Sequence, residues 1–403
     1  MNSGKRFRRL LGASVLVGAL VVTGTVFDAS YAAPTYPTWA EVQAAKRSVA
    51  KKKALIARFN AILQGQMDQE DKLSNAALAL GEKYNQAKEA LNVVAANVAT
   101  LQAQADTANA QAVAARTRLA QIASQMYRSG NSGGNLSMFL NSGAADNLLY
   151  QLGAQDRLAK QNDTTYKKSV AKQRYAQSVT DQLAVAKKDL ATKAKAAKDT
   201  FAQAQSAADA LTAKINANKA LQTTFYAQLA SLMKTSAALE RRRAEGIAWE
   251  KRQSAGSQSN LYDAPELYNV QDADPAIVSR VLSFARAQIG DAYVFGAAGM
   301  TYWDCSGLTM RAYSSVGIYI GWHSAVAQFN VLSQKHLLVP IKDRQPGDLL
   351  FYSTSDSFSS TKYHTAIYSG GNMMIEAPRP GAFVREVPMR WGELFPYAAR
   401  PSA

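Results

Sequence analysis

The sequence predicts a long all-α antiparallel coiled-coil hairpin followed by a smaller α+β domain. Three observations carry that expectation. Residues 38–252 are rich in Ala, Gln, Lys and Leu and hold no proline, since Pro37 is followed next by Pro265. Within that stretch, apolar or alanine residues recur with 3-4 spacing over six heptads. From about residue 261, Gly, Pro, Tyr and β-branched residues return, and helical and strand-like runs alternate. A chain of 403 residues suits two such units better than one core.

The heptad pattern runs through Tyr84, Ala87, Leu91, Val94, Val98, Leu101, Ala105, Ala108, Ala112, Ala115, Leu119, Ile122 and Met126. Such a seam specifies a coiled coil, and its alanines imply close approach of the partner helix. The period stops at Tyr127-Arg128-Ser129-Gly130-Asn131-Ser132-Gly133-Gly134, a turn-forming cluster. It resumes with Phe201, Ala204, Ala208, Leu211, Ile215, Phe225, Leu229 and Leu232, interrupted by Asn218 and Gln222. Two arms about a turn, within 38–252, give a projecting rod with its tip at about 127–153; each arm is on the order of 120 Å long. The tip segment, Leu136 to Tyr150, is more apolar than an exposed end should be. It either packs on the hairpin or docks a partner.

The N-terminus carries Lys5, Arg6, Arg8 and Arg9, then an apolar run from Leu10 to Phe27, then Ala29-Ser30-Tyr31-Ala32-Ala33. That order is a secretory signal peptide over 1–32, cut after Ala32. An uncleaved anchor is the weaker reading, because the run holds Gly and Thr and ends in small residues. The paired arginines hint at twin-arginine export, but the ordinary secretory route is expected. No later stretch reaches the ~20 apolar residues of a membrane span. The mature chain is therefore expected to be secreted and associated with the cell wall or cell surface.

Charge is uneven. Residues 33–260 hold 31 Lys plus Arg against 17 Asp plus Glu, whereas 261–403 hold 11 against 12. The basic part is the helical one. It suits anionic wall polymers or a membrane surface, or is simply a solvated face. Nucleic acid is not an expected partner, since the chain is exported and has no binding motif.

Residues 253–274 form a linker, flexible at its start. In 275–403, Asp274-Pro275 opens a helix that Gly290 ends, and Tyr293-Val294-Phe295-Gly296 is a short extended piece. Asp304-Cys305-Ser306-Gly307-Leu308 then enters a second helix. Gly347–Tyr352, His364–Tyr368 and Met373–Glu376 read as strands separated by Gly or Ser turns.

The chain has one cysteine and three histidines, so the search for a catalytic pair is short. A single cysteine makes no internal disulfide, and an unpaired thiol outside the cell risks oxidation. Cys305 sits where a loop enters a helix, which stabilises a thiolate and offers backbone N–H groups as an oxyanion hole. His364 begins an alternating strand and is the candidate base. Glu376 lies beyond the Ser369-Gly370-Gly371 turn, on the adjacent antiparallel strand, within reach of His364 on one face. A carboxylate there fixes the imidazole tautomer. His323 and His336 read as surface or groove residues. No cofactor is expected, and zinc is disfavoured because the ligand spacing is absent.

These motifs together resemble the NlpC/P60 family of cell-wall peptidases. The resemblance rests on Tyr293 through Leu308, Pro346-Gly347-Asp348-Leu349 and His364-Thr365-Ala366-Ile367-Tyr368, and covers about 130 residues. It implies a papain-like fold with Cys305, His364 and Glu376 as catalytic residues. The third family residue is often His; Glu376, with Ala377-Pro378 and Pro388-Met389-Arg390-Trp391 nearby, is similar to the actinobacterial Rip-type variant. The resemblance further implies hydrolysis of the D-γ-glutamyl–diamino acid bond of peptidoglycan stem peptides. It places Tyr293 near the thiolate or oxyanion, and Asp304 and Ser306 along the substrate groove. Ala292, Phe295 and Ala297 stand where Pro, Trp and Gly are usual, and His323-Ser324 replaces Arg-Thr or Arg-Ser. The hairpin resembles regulatory coiled coils of division-associated hydrolases, some of which dock an FtsX-like membrane partner. It implies a rod that targets the domain or holds it inactive. A non-catalytic wall-binding adaptor is the alternative.

Overall fold

A computed structural model describes residues 37–128, 145–254 and 264–403. The expected signal peptide, the centre of the hairpin tip and the first part of the linker lie outside the described residues. Thr38 starts helix α1 (Trp39–Ala45) with a capping box, accepting from Glu41 N–H while Glu41 accepts from Thr38 N–H. Helices α2 (Val49–Arg128, 80 residues) and α3 (Ala145–Met233, 89 residues) are the two arms. They have no internal proline and few glycines, so nothing interrupts the backbone ladder. Helix α4 (Ala237–Ser254) returns along the base. Among the described residues, no helix is long and apolar enough to cross a membrane.

At the closed base of the rod, Val42, Phe59, Leu63, Phe225, Tyr226 and Leu229 bury a satellite core. The Phe59 and Phe225 rings stand 5.8 Å apart. Farther along, Ala105 and Ala108 are almost fully buried, Ala105 beside Val179 and Leu183, the close approach that seam alanines permit. Asn218, which breaks the apolar period, is buried in the seam and donates to Glu70 across it at 2.6 Å. Phe201 departs from the seam expectation. It is 42% exposed and leans sideways onto Tyr84, with rings 5.2 Å apart.

The C-terminal domain begins with helix α5 (Pro275–Arg286), capped by Asp274 with proline in its first turn. A small sheet follows, of β1 (Ala292–Tyr293), β2 (Ala298–Gly299) and β3 (Tyr302–Trp303), ordered β1-β3-β2. Helices α6 (Cys305–Ser314) and α7 (Ala325–Gln334) come next. The main sheet contains β4 (Leu338–Pro340), β5 (Leu349–Ser353), β6 (Lys362–Gly370), β7 (Met373–Glu376), β8 (Arg385–Pro388) and β9 (Tyr397–Ala399). Its order is β4-β9-β5-β6-β7-β8, with antiparallel neighbours. Tyr313 of α6, Phe329 of α7 and Phe351 of β5 meet in the core that joins helices to sheet.

Central strand β6 carries His364, and its start is pinned from below. The Lys362 ammonium is buried, donates to the carbonyls of Ser357, Phe358 and Ser360, and lies over the Phe329 and Phe395 rings at 4.4 and 4.0 Å. Burial lowers its pKa to about 8.

Because Phe59 is fully buried at the base, Phe59→Ala is expected to destabilise the rod by about 3–5 kcal/mol. Denaturant titration of the helical circular dichroism checks this.

Candidate active site

The site is assembled around the start of α6. Asp304 is extended and caps the helix, its Oδ1 accepting from Gly307 N–H at 2.7 Å. Its other oxygen accepts from Gly296 N–H at 2.9 Å, which folds the β1–β2 loop against the helix. Cys305 is therefore the first helical residue, where unpaired N–H groups and the helix dipole favour an anion. The amides of Thr365 and Ser306 also favour the thiolate. Burial nevertheless dominates, with Asp304 and Glu82 adding to it, and the Cys305 thiol is pushed well up.

His364 is fully buried on β6, in register with Tyr352 of β5. Ile367 pairs with Ile375, so His364 and Glu376 are diagonal neighbours on one face of the sheet. The structure brings them together: His364 Nε2 lies 2.8 Å from Glu376 Oε2. His364 Nδ1 is buried without a hydrogen-bond partner. It therefore makes no hydrogen bond to Cys305 in this arrangement. Burial lowers the His364 pKa; Glu376 opposes the shift, and Arg390 and Arg385 reinforce it. Burial also disfavours charge on Glu376, but Arg390, the His364 bond and Arg385 outweigh it and hold the carboxyl well below the usual range.

The remaining expected site residues surround the thiol. Tyr293 is 7% exposed, and burial plus the nearby Cys305 push its phenol well up. Ser306 is fully buried and its Oγ donates to Asp304 at 3.2 Å. His323 lines the groove, with Nε2 2.7 Å from Asp304 Oδ1. His336 stands apart, stacked on Tyr268 at 4.5 Å.

Sequence reasoning missed the residues that cover this groove, which come from the first arm of the rod. Glu82 of α2 accepts from Ala325 N–H at 2.9 Å and Val326 N–H at 3.1 Å, and from the Ser324 hydroxyl. It thus caps α7 from outside the domain. Asn85 donates to Asp304 at 3.1 Å and to Ser306 Oγ at 3.4 Å. Asn75 donates to Glu393 at 2.5 Å, and Glu393 also accepts from Tyr363, the neighbour of His364. Phe295 of the domain inserts beside Ala77, Leu211 and Ile215, a cluster built by both arms. Gly81 makes room for it: a Cβ there would stand 2.3 Å from the Phe295 ring. The only sequence signals were a helix glycine, two seam-flanking polar residues and a phenylalanine in a glycine-rich loop.

Residues 290–391 match the NlpC/P60 family. The C-terminal domain is an NlpC/P60 domain. Its family is one of cysteine peptidases. The relatives include peptidoglycan endopeptidase RipA of Mycobacterium tuberculosis, 32% identical over 149 residues that span 34% of this chain and 28% of RipA. Probable endopeptidase p60 of Listeria grayi is 31% identical over 126 residues, 31% of this chain and 23% of that protein. The chain thus spans about a quarter of the length of these curated relatives. Among solved structures, the NlpC/P60 domain of peptidoglycan hydrolase SagA is 30% identical, covering 30% of this chain and 97% of that one at a TM-score of 0.26. A mutant of the Resuscitation Promoting Factor Interacting protein RipA is 28% identical, covering 34% and 65% at a TM-score of 0.27.

In this NlpC/P60 domain the Asp304–His323 pair links stability to pH. Burial disfavours the His323 cation, but Asp304 outweighs it and raises the His323 pKa. A raised folded pKa stabilises fully below the unfolded value of about 6.5, and the contribution fades as pH rises through the folded value. His323→Gln is therefore expected to be more destabilising at pH 6 than at pH 8.5 in denaturant titrations. Asp304→Ala, which unpairs the Gly296 and Gly307 amides, is expected to cost about 2–4 kcal/mol near neutral pH.

Proposed function

We propose that the chain is a secreted peptidoglycan hydrolase, a D,L-endopeptidase that cleaves the D-γ-glutamyl–diamino acid bond of stem peptides, with the rod as its inhibitor. The observation that carries the chemistry is His364: one ring nitrogen is tied to an ionised carboxylate, and the other is unpartnered on the strand facing the start of α6. Cys305, the chain's single cysteine, heads that helix. In the reaction, the Cys305 proton passes to His364 Nδ1 and Sγ bonds to the glutamyl carbonyl carbon. The oxyanion is met by N–H groups at the start of α6, with Tyr293 beside it. The C–N bond then breaks, and the departing amine takes the proton from His364. Water attacks the thioester, gives a proton to His364, and releases the glutamyl carboxyl and the restored thiol. Asp304 and Ser306 shape the groove, and no cofactor takes part.

Inhibition by the rod is supported by where its side chains lie. Glu82 and Asn85 occupy polar positions beside the thiol that a peptide would need. Burial under the docked rod also disfavours transfer of the thiol proton to the imidazole, because it raises the Cys305 pKa and lowers that of His364. Removing the rod restores water to the thiol and takes Glu82 away from the start of α7. A partner at the tip, such as an FtsX-like membrane protein, would supply that release, and the basic arms would keep the enzyme near anionic wall polymers.

Mass analysis of muropeptides tests both halves. Residues 261–403 are expected to cut sacculi at the glutamyl bond, the full chain at least tenfold more slowly, and Cys305→Ala of either not at all. Absence of that cleavage in every form would favour the adaptor. Gly81→Ala improves helix propensity by about 1 kcal/mol while driving a methyl into Phe295. It is expected to raise full-chain activity severalfold with the rod still helical; unchanged activity would count against inhibition by docking.

A further inference from the structure

The Glu376 carboxylate is held more heavily than an orienting group requires. It is fully buried. Its Oε1 accepts from Arg385 Nε at 3.0 Å, Arg385 Nη2 at 2.8 Å and Arg390 Nη1 at 2.9 Å. Its Oε2 accepts from Arg390 Nη1 at 2.8 Å and shares the 2.8 Å contact with His364 Nε2. A carboxylate offers about four lone-pair directions, so this one is saturated. Arg385 reaches it from the paired position on β8, where Glu376 and Arg385 are in register. Arg390 arrives just beyond β8 and is itself fixed. Its guanidinium lies 4.6 Å from the centre of the Tyr352 ring, and its backbone N–H donates to the Tyr352 hydroxyl at 3.3 Å. The Tyr352 ring in turn stands 5.5 Å from the His364 ring.

We propose that Arg390, assisted by Arg385, is a positioning residue for His364: the two guanidiniums lock the plane and charge of Glu376 and keep the imidazole neutral, so that His364 acts as a base and not as a preformed imidazolium. This deepens the endopeptidase reading and rests on it for the role of His364. Glu376 alone would hold the ring but would also pull a proton onto it, since a buried anion stabilises a neighbouring cation. Two cations on that anion leave the surroundings of the ring net positive and remove the pull. The ring keeps its tautomer, Nε2–H toward Glu376, with Nδ1 free to accept the thiol proton. The other ionisable groups facing this cluster do not offset the guanidiniums. Tyr352 from β5 has its phenol pushed up to about 12, the Cys305 thiol from α6 is also pushed up, and Arg379, beyond β7, adds a third positive charge. The rod carboxylates Glu70 and Asp71 bear on Arg379.

The test reads the imidazole directly. The full chain has three histidines, so histidine-selective 15N labelling with His323→Gln and His336→Gln for assignment isolates the His364 signals. The parent is expected to titrate below the ordinary value of about 6.5, with the Nε2–H tautomer. Arg390→Met is expected to strengthen proton binding by His364 tenfold or more, and Arg390→Lys to reverse most of that change. Arg385→Gln, at a half-exposed side chain, is expected to shift it the same way by less and keeps the question answerable if Arg390→Met does not fold. Glu376→Gln is expected to move it the opposite way. An unchanged or weakened proton affinity in folded Arg390→Met, or in Arg385→Gln alone if the former is unfolded, overturns the proposal. In the Gly81→Ala background, the acid limb of kcat is expected to move to higher pH in Arg390→Met. Muropeptide release with an unaltered titration sinks the clamp and leaves the endopeptidase. A shifted titration with no release from any chain sinks the endopeptidase and leaves the clamp.

Discussion

Asp304 is the interaction on which the rest of the site depends. It is 1% exposed, yet charged, and its two oxygens are met from four parts of the chain: Ser306 and Gly307 in its own helix, Gly296 in the preceding loop, His323 before α7 and Asn85 in the rod. A carboxylate buried in this way is stable only while every partner is present. The start of α6, the β1–β2 loop, the groove wall and the docked rod are therefore one electrostatic unit. Cys305 inherits its position from that unit, being the next residue in the chain.

The rod meets the domain by two kinds of contact with opposite demands. Phe295 needs an apolar slot, and gets one because Gly81 leaves a gap in α2 between the arms. Glu82 and Asn85, one residue and four residues later, need hydrogen-bond donors and acceptors, and find them at the start of α7 and beside Asp304. The apolar contact supplies burial with little directionality, whereas the buried carboxylate of Glu82 tolerates only one register. Sliding α2 by a turn would strand it without partners.

Much of this was legible in the sequence. The heptads announce the arms, because a coiled-coil seam must repeat locally. The nearness of Glu376 to His364 follows from period-2 alternation about Ser369-Gly370-Gly371, and survives the irregularity at Tyr368/Gly370 because the two residues stay on one face. Asp274 and Asp304 announce helix starts by side-chain chemistry alone. What stayed hidden depends on contacts across long stretches of chain. Glu82 and Asn85 look like ordinary solvated positions on a helix, and their partners are more than 200 residues away. Phe295 reads as a loop variant until the slot beside Gly81 is seen. Arg390 is visible as part of a motif, but nothing in its spacing says that it shares a carboxylate with His364.

The position of Glu82 along α2 has a mechanical consequence. It lies about 35 Å from the aromatic base at Phe59 and about 70 Å from the last described residue of that arm, at ~1.5 Å per residue. The arm is therefore a lever whose long side faces away from the base. A sideways pull at its outer end, about 105 Å from the base, acts on the groove with roughly threefold leverage. The hydrogen bonds of Glu82 and Asn85 break within a fraction of an ångström to an ångström of separation, while the far end must travel several times farther for the same tilt. Force and travel are traded in the direction that suits a partner able to move a long way and pull weakly.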